Sequence, residues 1–177
     1  AAHPRFSLQG MKGSFATWQA SGSVSGPWKG GNYLGLVEGT GSRNDFSFRD
    51  DNGTPYNLAD DEQGRRRNSD FFGLRSLLKA QRPWGHRRIQ AHHTLDLRRQ
   101  GIPGIGNYQA HEVRFDTWQD LSQVGLSGPV STAASYELSA YHSYQQDRYK
   151  DPKGEVGTGI QRHRNTTRGA GVQGVFH

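Results

Sequence analysis

The sequence predicts an all-β chain, an antiparallel up-and-down segment of about eight strands from a transmembrane β-barrel, with short periplasmic turns and long outer loops. Three observations lead there. Apolar and polar residues alternate with a period of two over stretches of about ten residues, the length of strand that crosses a bilayer when tilted. Connections alternate between short Gly/Pro turns and long polar stretches, as they do in a barrel wall with two different ends. Only 32% of the 177 residues are hydrophobic, which is thin for a soluble core of this size, yet 4 Trp, 7 Tyr and 8 Phe are more aromatics than a disordered chain carries. A wall that faces lipid on one side needs only every second residue to be apolar.

Residues 1–177 read as one partial barrel domain, with strands near 5–11, 15–25, 32–43, 70–81, 87–98, 111–122, 132–146 and 164–177. The second strand alternates Ala16, Trp18, Ala20, Gly22 and Val24 with Phe15, Thr17, Gln19, Ser21 and Ser23. The third is Gly-rich, with Leu34 and Leu36 on one face and Tyr33 and Val37 on the other. The fourth carries Phe72, Leu74, Leu77 and Leu78 at a spacing close to helical, but the stretch is too short to hold as a helix.

Alternation is cleanest in the fifth strand, where Ile89, Ala91, His93, Leu95 and Leu97 oppose Arg88, Gln90, His92, Thr94, Asp96 and Arg98. The seventh sets Ala134, Tyr136, Leu138, Ala140, His142 and Tyr144 against Ser135, Glu137, Ser139, Tyr141, Ser143 and Gln145. In the sixth, Val113, Phe115 and Thr117 form the apolar set and Glu112, Arg114, Asp116 and Trp118 the other. Ala170, Val172, Gly174 and Phe176 face away from Gly169, Gly171, Gln173 and Val175 at the end.

Short turns are expected at Gly26–Gly31 and Arg82–His86, and a link at Gly125–Ser131. Long loops are expected at 44–69, 100–110 and 147–163. Trp28 and Trp84 fall in the turns, and Trp18, Tyr136, Tyr144 and Phe115 on apolar faces, as the aromatic girdles of a membrane protein require.

Several chemistries are excluded by the residues themselves. With no cysteine there is no disulfide, thiolate metal cluster or cysteine nucleophile. Adjacent strand residues point to opposite faces, so His92 and His93 cannot share an ion from one side; His92 is expected in the lumen and His93 toward lipid or the interface. Asp50, Asp51, Asp60, Asp61 and Glu62 lack the spacing of a calcium loop and read as solvated charges facing Arg65–Arg67. The run Gly101-Ile102-Pro103-Gly104-Ile105-Gly106 is no phosphate loop, because Pro103 removes an amide and no Lys-Ser/Thr follows.

The net charge of +6 is spread along the chain, not gathered in a nucleic-acid footprint, so no nucleic acid is expected. Arginines on the polar faces should instead pair with Asp96, Glu112, Asp116 and Glu137. No cofactor, metal or catalytic residue is expected. Ala1-Ala2-His3-Pro4 shows no apolar signal-peptide core, so any such leader is expected to have been removed or to precede a longer chain.

One set of motifs is more specific. Gly13-Ser14-Phe15 is followed by Asn44-Asp45-Phe46-Ser47-Phe48, by Asp51-Asn52-Gly53-Thr54-Pro55, by Arg67-Asn68-Ser69-Asp70-Phe71 and by Gly101-Ile102-Pro103-Gly104. In this order the motifs resemble the barrel domain of TonB-dependent outer-membrane receptors, over about Gly13 to Pro129. The resemblance implies an outer-membrane barrel of 22 strands around a plug domain, which takes up scarce ligands such as iron chelates, cobalamin or oligosaccharides with energy from the TonB complex.

This chain carries no plug domain and no TonB-contacting box, so it reads as part of such a barrel wall, its early portion, with a small independent barrel as the lesser alternative. Its partners would be outer-membrane lipid, the remainder of the barrel and the plug, with the TonB complex reached only through the plug. Ligand contacts are expected in the outer loops at Asn44, Asp45, Arg49, Asp50, Asp51, Asn52, Tyr56, Arg65, Arg66 and Arg67. The competing expectation is a soluble all-β domain that binds or hydrolyses carbohydrate, which would need an apolar interior.

Overall fold

A computed structural model describes residues 3–54, 56–104 and 108–177. Ala1, Ala2, Pro55, Ile105 and Gly106, named above, lie outside the described residues. Ten strands follow one another: β1 (Arg5–Lys12), β2 (Trp18–Trp28), β3 (Gly31–Ser42), β4 (Ser47–Asp50), β5 (Glu62–Arg65), β6 (Phe71–Trp84), β7 (Arg87–Gly101), β8 (Arg114–Ser131), β9 (Ala134–Asp151) and β10 (Gln161–Phe176). Eight of them form one antiparallel sheet in the order β1-β2-β3-β6-β7-β8-β9-β10, and β4 pairs with β5 in a separate hairpin. Each strand of the sheet pairs with its neighbours in sequence, apart from the hairpin inserted between β3 and β6, so the topology is up-and-down.

The sheet is open. β1 and β10 are its two edges and do not pair with each other, so the eight strands form a wall and not a closed barrel.

The expected connections hold in kind and shift in place. Three turns at one end are tight: Lys29-Gly30, Gly85-His86 and Thr132-Ala133. Lys29 and Gly30 both have positive φ, 49° and 78°, the conformation a two-residue hairpin needs to match strand twist. Trp28 and Trp84 are therefore the last residues of strands and not turn residues. Residues 15–17, expected in a strand, form the β1–β2 turn, with Phe15 and Ala16 both at φ 55°. The expected link at Gly125–Ser131 is strand; β8 runs on to Ser131, and an irregularity between Pro129 and Ser131 accommodates the proline, which cannot donate to a ladder. The helix-like stretch at Phe71–Lys79 is part of β6.

Register sorts the side chains onto two faces, because partners across a ladder share a face. On the first face Trp18, Ala20, Gly22 and Val24 of β2 meet Gly41, Gly39, Val37 and Gly35 of β3. Leu74, Leu78 and Ala80 of β6 follow, then Leu97, His93 and Ala91 of β7. Trp118, Val124 and Leu126 of β8 align with β7, and Ala140 and Leu138 of β9 with β8. Val172 and Gly174 of β10 complete this face. The predicted apolar sets of β2, β7, β9 and β10 thus fall on one side.

In β8 the expectation is reversed. Trp118 stands opposite Leu97 on the apolar face, while Phe115 stands opposite Gln100 on the other. This strand carries aromatics on both faces, so alternation alone gives no phase.

The apolar face is bordered by two aromatic rows. Trp18, Phe72, Trp118 and Tyr144 lie toward the long loops, with ring centroids 6.2 Å apart for Trp18–Phe72 and 5.9 Å for Trp118–Tyr144. Phe6, Trp28, Tyr33, Trp84, Tyr136 and Phe176 lie in the halves of their strands nearer the tight turns. β2 starts at Trp18 and ends at Trp28, 11 residues. At about 3.3 Å per residue and a tilt of about 40° the two rows stand about 25 Å apart, the height of a barrel's apolar band. One polar island interrupts the band: His93 Nδ1 lies 3.0 Å from Ser122 Oγ, and its Nε2 is 3.7 Å from Asp120, which pairs in register with Tyr144 of the upper aromatic row.

The other face is polar, and the sheet bends around it. A hollow of about 980 Å³ is lined by residues of six strands, among them Arg5, Ser25, Asn32, Lys79, His92 and Gln123. His92 and His93 accordingly point to opposite faces, as expected. No element packs across either face of the sheet among the described residues. Phe6, Leu8, Leu78, Val124 and Val172 of the apolar face are 77%, 87%, 53%, 57% and 82% exposed.

Candidate functional site

The loop end holds what little interior exists. Ala110, Val113 and Asp151 are fully buried, and Ser42 and Ser69 nearly so, all at the end of the sheet where the long loops gather. That end is formed by the β1–β2 turn, the segment 43–70 with its β4–β5 hairpin, and the described parts of the segments 102–113 and 152–160.

Side-chain hydrogen bonds to backbone join these segments. Asn68 Nδ2 donates to the carbonyls of Ile102, at 2.9 Å, and Val113, at 2.8 Å. Arg66 Nη2 donates to the Gly104 carbonyl at 2.9 Å, and Gln109 Oε1 accepts the Arg67 amide at 2.8 Å. Asp70 accepts from Arg114 Nη1 at 2.7 Å. In the next seam one oxygen of Glu155 accepts the amides of His111 and Glu112, both at 2.8 Å. These two amides hold the Glu155 carboxyl below its usual 4.5 against the desolvation that opposes them. The Asp151 carboxylate accepts the amides of Glu155 and Val156 at 2.7 and 2.8 Å, folding the start of the last loop back on itself. Lys153 Nζ, 2.5 Å from Glu112, closes the seam, and that contact raises the lysine above its usual 10.5.

The residues expected to contact ligand all lie at this end, in two roles. Asn44 is part of the scaffold: it has φ 50°, its amide donates to Ser42 Oγ at 3.0 Å and its carbonyl accepts from Ser69 Oγ at 2.6 Å. Asp50 and Asp51 close turns onto the amides of Asn52 and Gly53 at 3.0 and 3.2 Å, and Asn52 sits at φ 52°. Arg49 pairs with Asp61, and Asp45 with Arg65 at 3.4 Å. Arg66 stacks over Phe48 with 5.4 Å to the ring centroid besides its bond to Gly104. Arg67 contributes its amide. Tyr56, fully exposed, is presented to solvent at the hairpin tip.

The expected pairing of Asp50–Glu62 with Arg65–Arg67 is only partly met, since Asp61 takes Arg49 and Arg65 takes Asp45. The residues that hold the loops together, Asn68, Gln109, Asp151 and Glu155, escape the sequence reading. Their partners are 4 to 45 positions away and most are backbone groups, which leave no trace in residue type.

On the polar face Arg75 pairs with Asp96 at 2.9 Å across β6 and β7, the kind of cross-strand pairing expected for Asp96. Asp116 pairs with Arg99 at 3.2 Å, but on the apolar-banded face, and Glu112 pairs with Lys153 in the loops. Among the described residues no group of His, Asp and Glu has the geometry to hold a metal ion. Among the same residues no helix is long and apolar enough to cross a membrane. No protein-family model, curated protein or solved structure matches the chain.

Proposed function

We propose that this chain is part of the wall of an outer-membrane β-barrel of the TonB-dependent receptor type, which takes up a scarce ligand such as an iron chelate, cobalamin or an oligosaccharide. The observation that carries the reading is the uncovered apolar face of a single-layer sheet, bounded by aromatic rows about 25 Å apart. In water such a face is a large exposed apolar patch. Against lipid it needs no second layer. The polar face then lines a lumen, the tight turns lie on the periplasmic side and the loop platform lies outside.

On this reading the protein performs no chemistry on its ligand. Tyr56 and the hairpin charges Arg49, Asp50, Arg65 and Arg67 meet the ligand, while Asn44, Asp45, Asp51, Asn52 and Arg66 hold the hairpin in place. β1 and β10 pair with further strands of the same barrel, since a spanning sheet cannot leave ladder amides and carbonyls unpaired in hydrocarbon. The plug occupies the concave polar face and alone meets the TonB complex.

The test is extraction and refolding. The chain should require detergent for a folded state with high strand content and should migrate differently on gels before and after boiling. A cooperatively folded monomer in plain buffer sinks the reading and favours a soluble carbohydrate-active domain. Binding assays with an iron chelate, cobalamin and an oligosaccharide then select the ligand class, and failure of all three removes the uptake role.

A further inference from the structure

Outward of Trp118 and Tyr144, the face that carries the apolar band becomes cationic. Register places Arg99, Asp116, Arg148 and Arg164 in one row across β7, β8, β9 and β10. The next row outward aligns Arg114, Lys150 and Arg162. Two rows inward Arg168 stacks on Tyr144, with 5.5 Å to the ring centroid. Arg99 is matched by Asp116 and Arg114 by Asp70. Arg148, Lys150, Arg162 and Arg164 form no ion pair among the described residues. Between the side chains of Arg99, Trp118, Gln146 and Arg148 lies a hollow of about 310 Å³. Nε of Arg148 is buried without a hydrogen-bond partner.

We infer that this patch binds the phosphate headgroup of an anionic lipid, with Arg148 and Arg164 as its central ligands. The inference rests on the reading that this face meets a membrane, and adds which lipid chemistry it selects. Planar guanidinium groups suit phosphate oxygens, to which they donate two parallel hydrogen bonds. The position selects a lipid over a dissolved anion: the cations stand just beyond Trp118 and Tyr144, where headgroups sit, and Leu97, Leu95 and Val124 lie below them to receive acyl chains. The cationic rows run across four neighbouring strands, about 14 Å at the usual strand spacing, which is wider than a single ion needs.

The test reconstitutes the chain in phosphatidylcholine vesicles containing a minority of phosphatidic acid, with bromine on the acyl chains of one lipid or the other. Tryptophan quenching reads which lipid lies beside the protein. Phosphatidic acid should be enriched well above its bulk fraction. R148Q/R164Q should reduce that enrichment about 25-fold, taking about fivefold per cation at a headgroup surface. R148K/R164K, which keeps the charge and controls for misfolding, should restore most of it, and R75Q/K79Q on the polar face should leave it unchanged. Quenching by both lipids in proportion to their bulk fractions overturns the inference and leaves the membrane reading standing. Quenching by neither removes the membrane reading and the inference together. Equal loss in R75Q/K79Q, or tight binding of inorganic phosphate by the chain in detergent with loss of lipid enrichment, also overturns it, the second in favour of a free-anion site.

Discussion

Trp18 shows how one side chain dictates the composition of its neighbouring strand. Its ring lies over β3, where a Cβ on Gly41 would stand 2.7 Å from Nε1 and one on Gly39 3.2 Å from the six-membered ring. The glycines that make β3 look weak as a strand are the floor on which the tryptophan rests. Gly41→Val should therefore lift the ring and cost about 1–3 kcal/mol, the usual scale of overpacking, with a shifted tryptophan emission in the folded state as the check. Without this contact the variant would unfold at the wild-type denaturant concentration.

The same scale separates scaffold from contact in the loops. Asn68→Ala leaves the Ile102 and Val113 carbonyls without their shared donor and should destabilise the platform by about 1–3 kcal/mol, read by denaturant titration in detergent. Tyr56→Ala removes an exposed ring and should change stability by no more than about 0.5 kcal/mol while weakening ligand binding. Binding that survives Tyr56→Ala would move the contact site away from the hairpin tip.

Glu155 supplies a pH dependence. Its carboxyl is depressed in the folded loops and titrates near 4.5 when they open, so its contribution is full above pH 4.5 and is lost as pH falls through the lower folded value. Hydrogen exchange at the His111 and Glu112 amides, corrected for the intrinsic rate, should show strong protection at neutral pH that falls away below pH 4.5. Glu155→Gln should remove that pH dependence.

Among the elements, the strands differ in how much of their length the proposed membrane span would use. β8 and β9 have 18 residues each, about 55 Å of extended chain, far more than the apolar band needs. Their outer halves stand clear of it and carry the cationic rows and the loops. The band itself is crossed by the inner halves, where charge should be expensive. Val124→Lys and Leu78→Lys, near mid-band, should each cost about 2–4 kcal/mol in lipid, whereas Leu121→Lys on the polar face should cost far less. Equal costs on the two faces would argue that neither is in hydrocarbon.

Alternation set the faces of β2, β7, β9 and β10 correctly because side-chain direction is a local property of an extended chain. It failed for Phe115 and Trp118, where both faces carry aromatics and only the pairing of Trp118 with Leu97 decides. It also stopped β8 too early. Gly125, Gly128 and Pro129 look like a turn one residue at a time, yet pairing of Gly125 with β7 and β9, and of Gly128 and Pro129 with β9, holds them extended.

As a whole, the described residues form a wall with two uncovered faces and two unpaired edges. Its stability must come from what lies against it, because the described interior consists of a few residues under the loops. The candidate site was legible only as a region. Asn44 to Arg67 stood out as a long polar loop, but its division into scaffold and contact depends on bonds to segments 102–113 and 152–160, whose partners are mostly backbone atoms.

What the sequence determined by itself was the type and number of the sheet's strands, their two-faced character and the difference between the two ends, since each follows from short-range rules of alternation and turn chemistry. What only the tertiary structure decided was register. Register sets Trp18 and Phe72 in one row with Arg99, Arg148 and Arg164, places Trp118 and Tyr144 one and two rows further in, and sets the loops against each other. Those alignments depend on which residues of separate strands stand side by side, and no stretch of sequence shorter than the sheet contains that information.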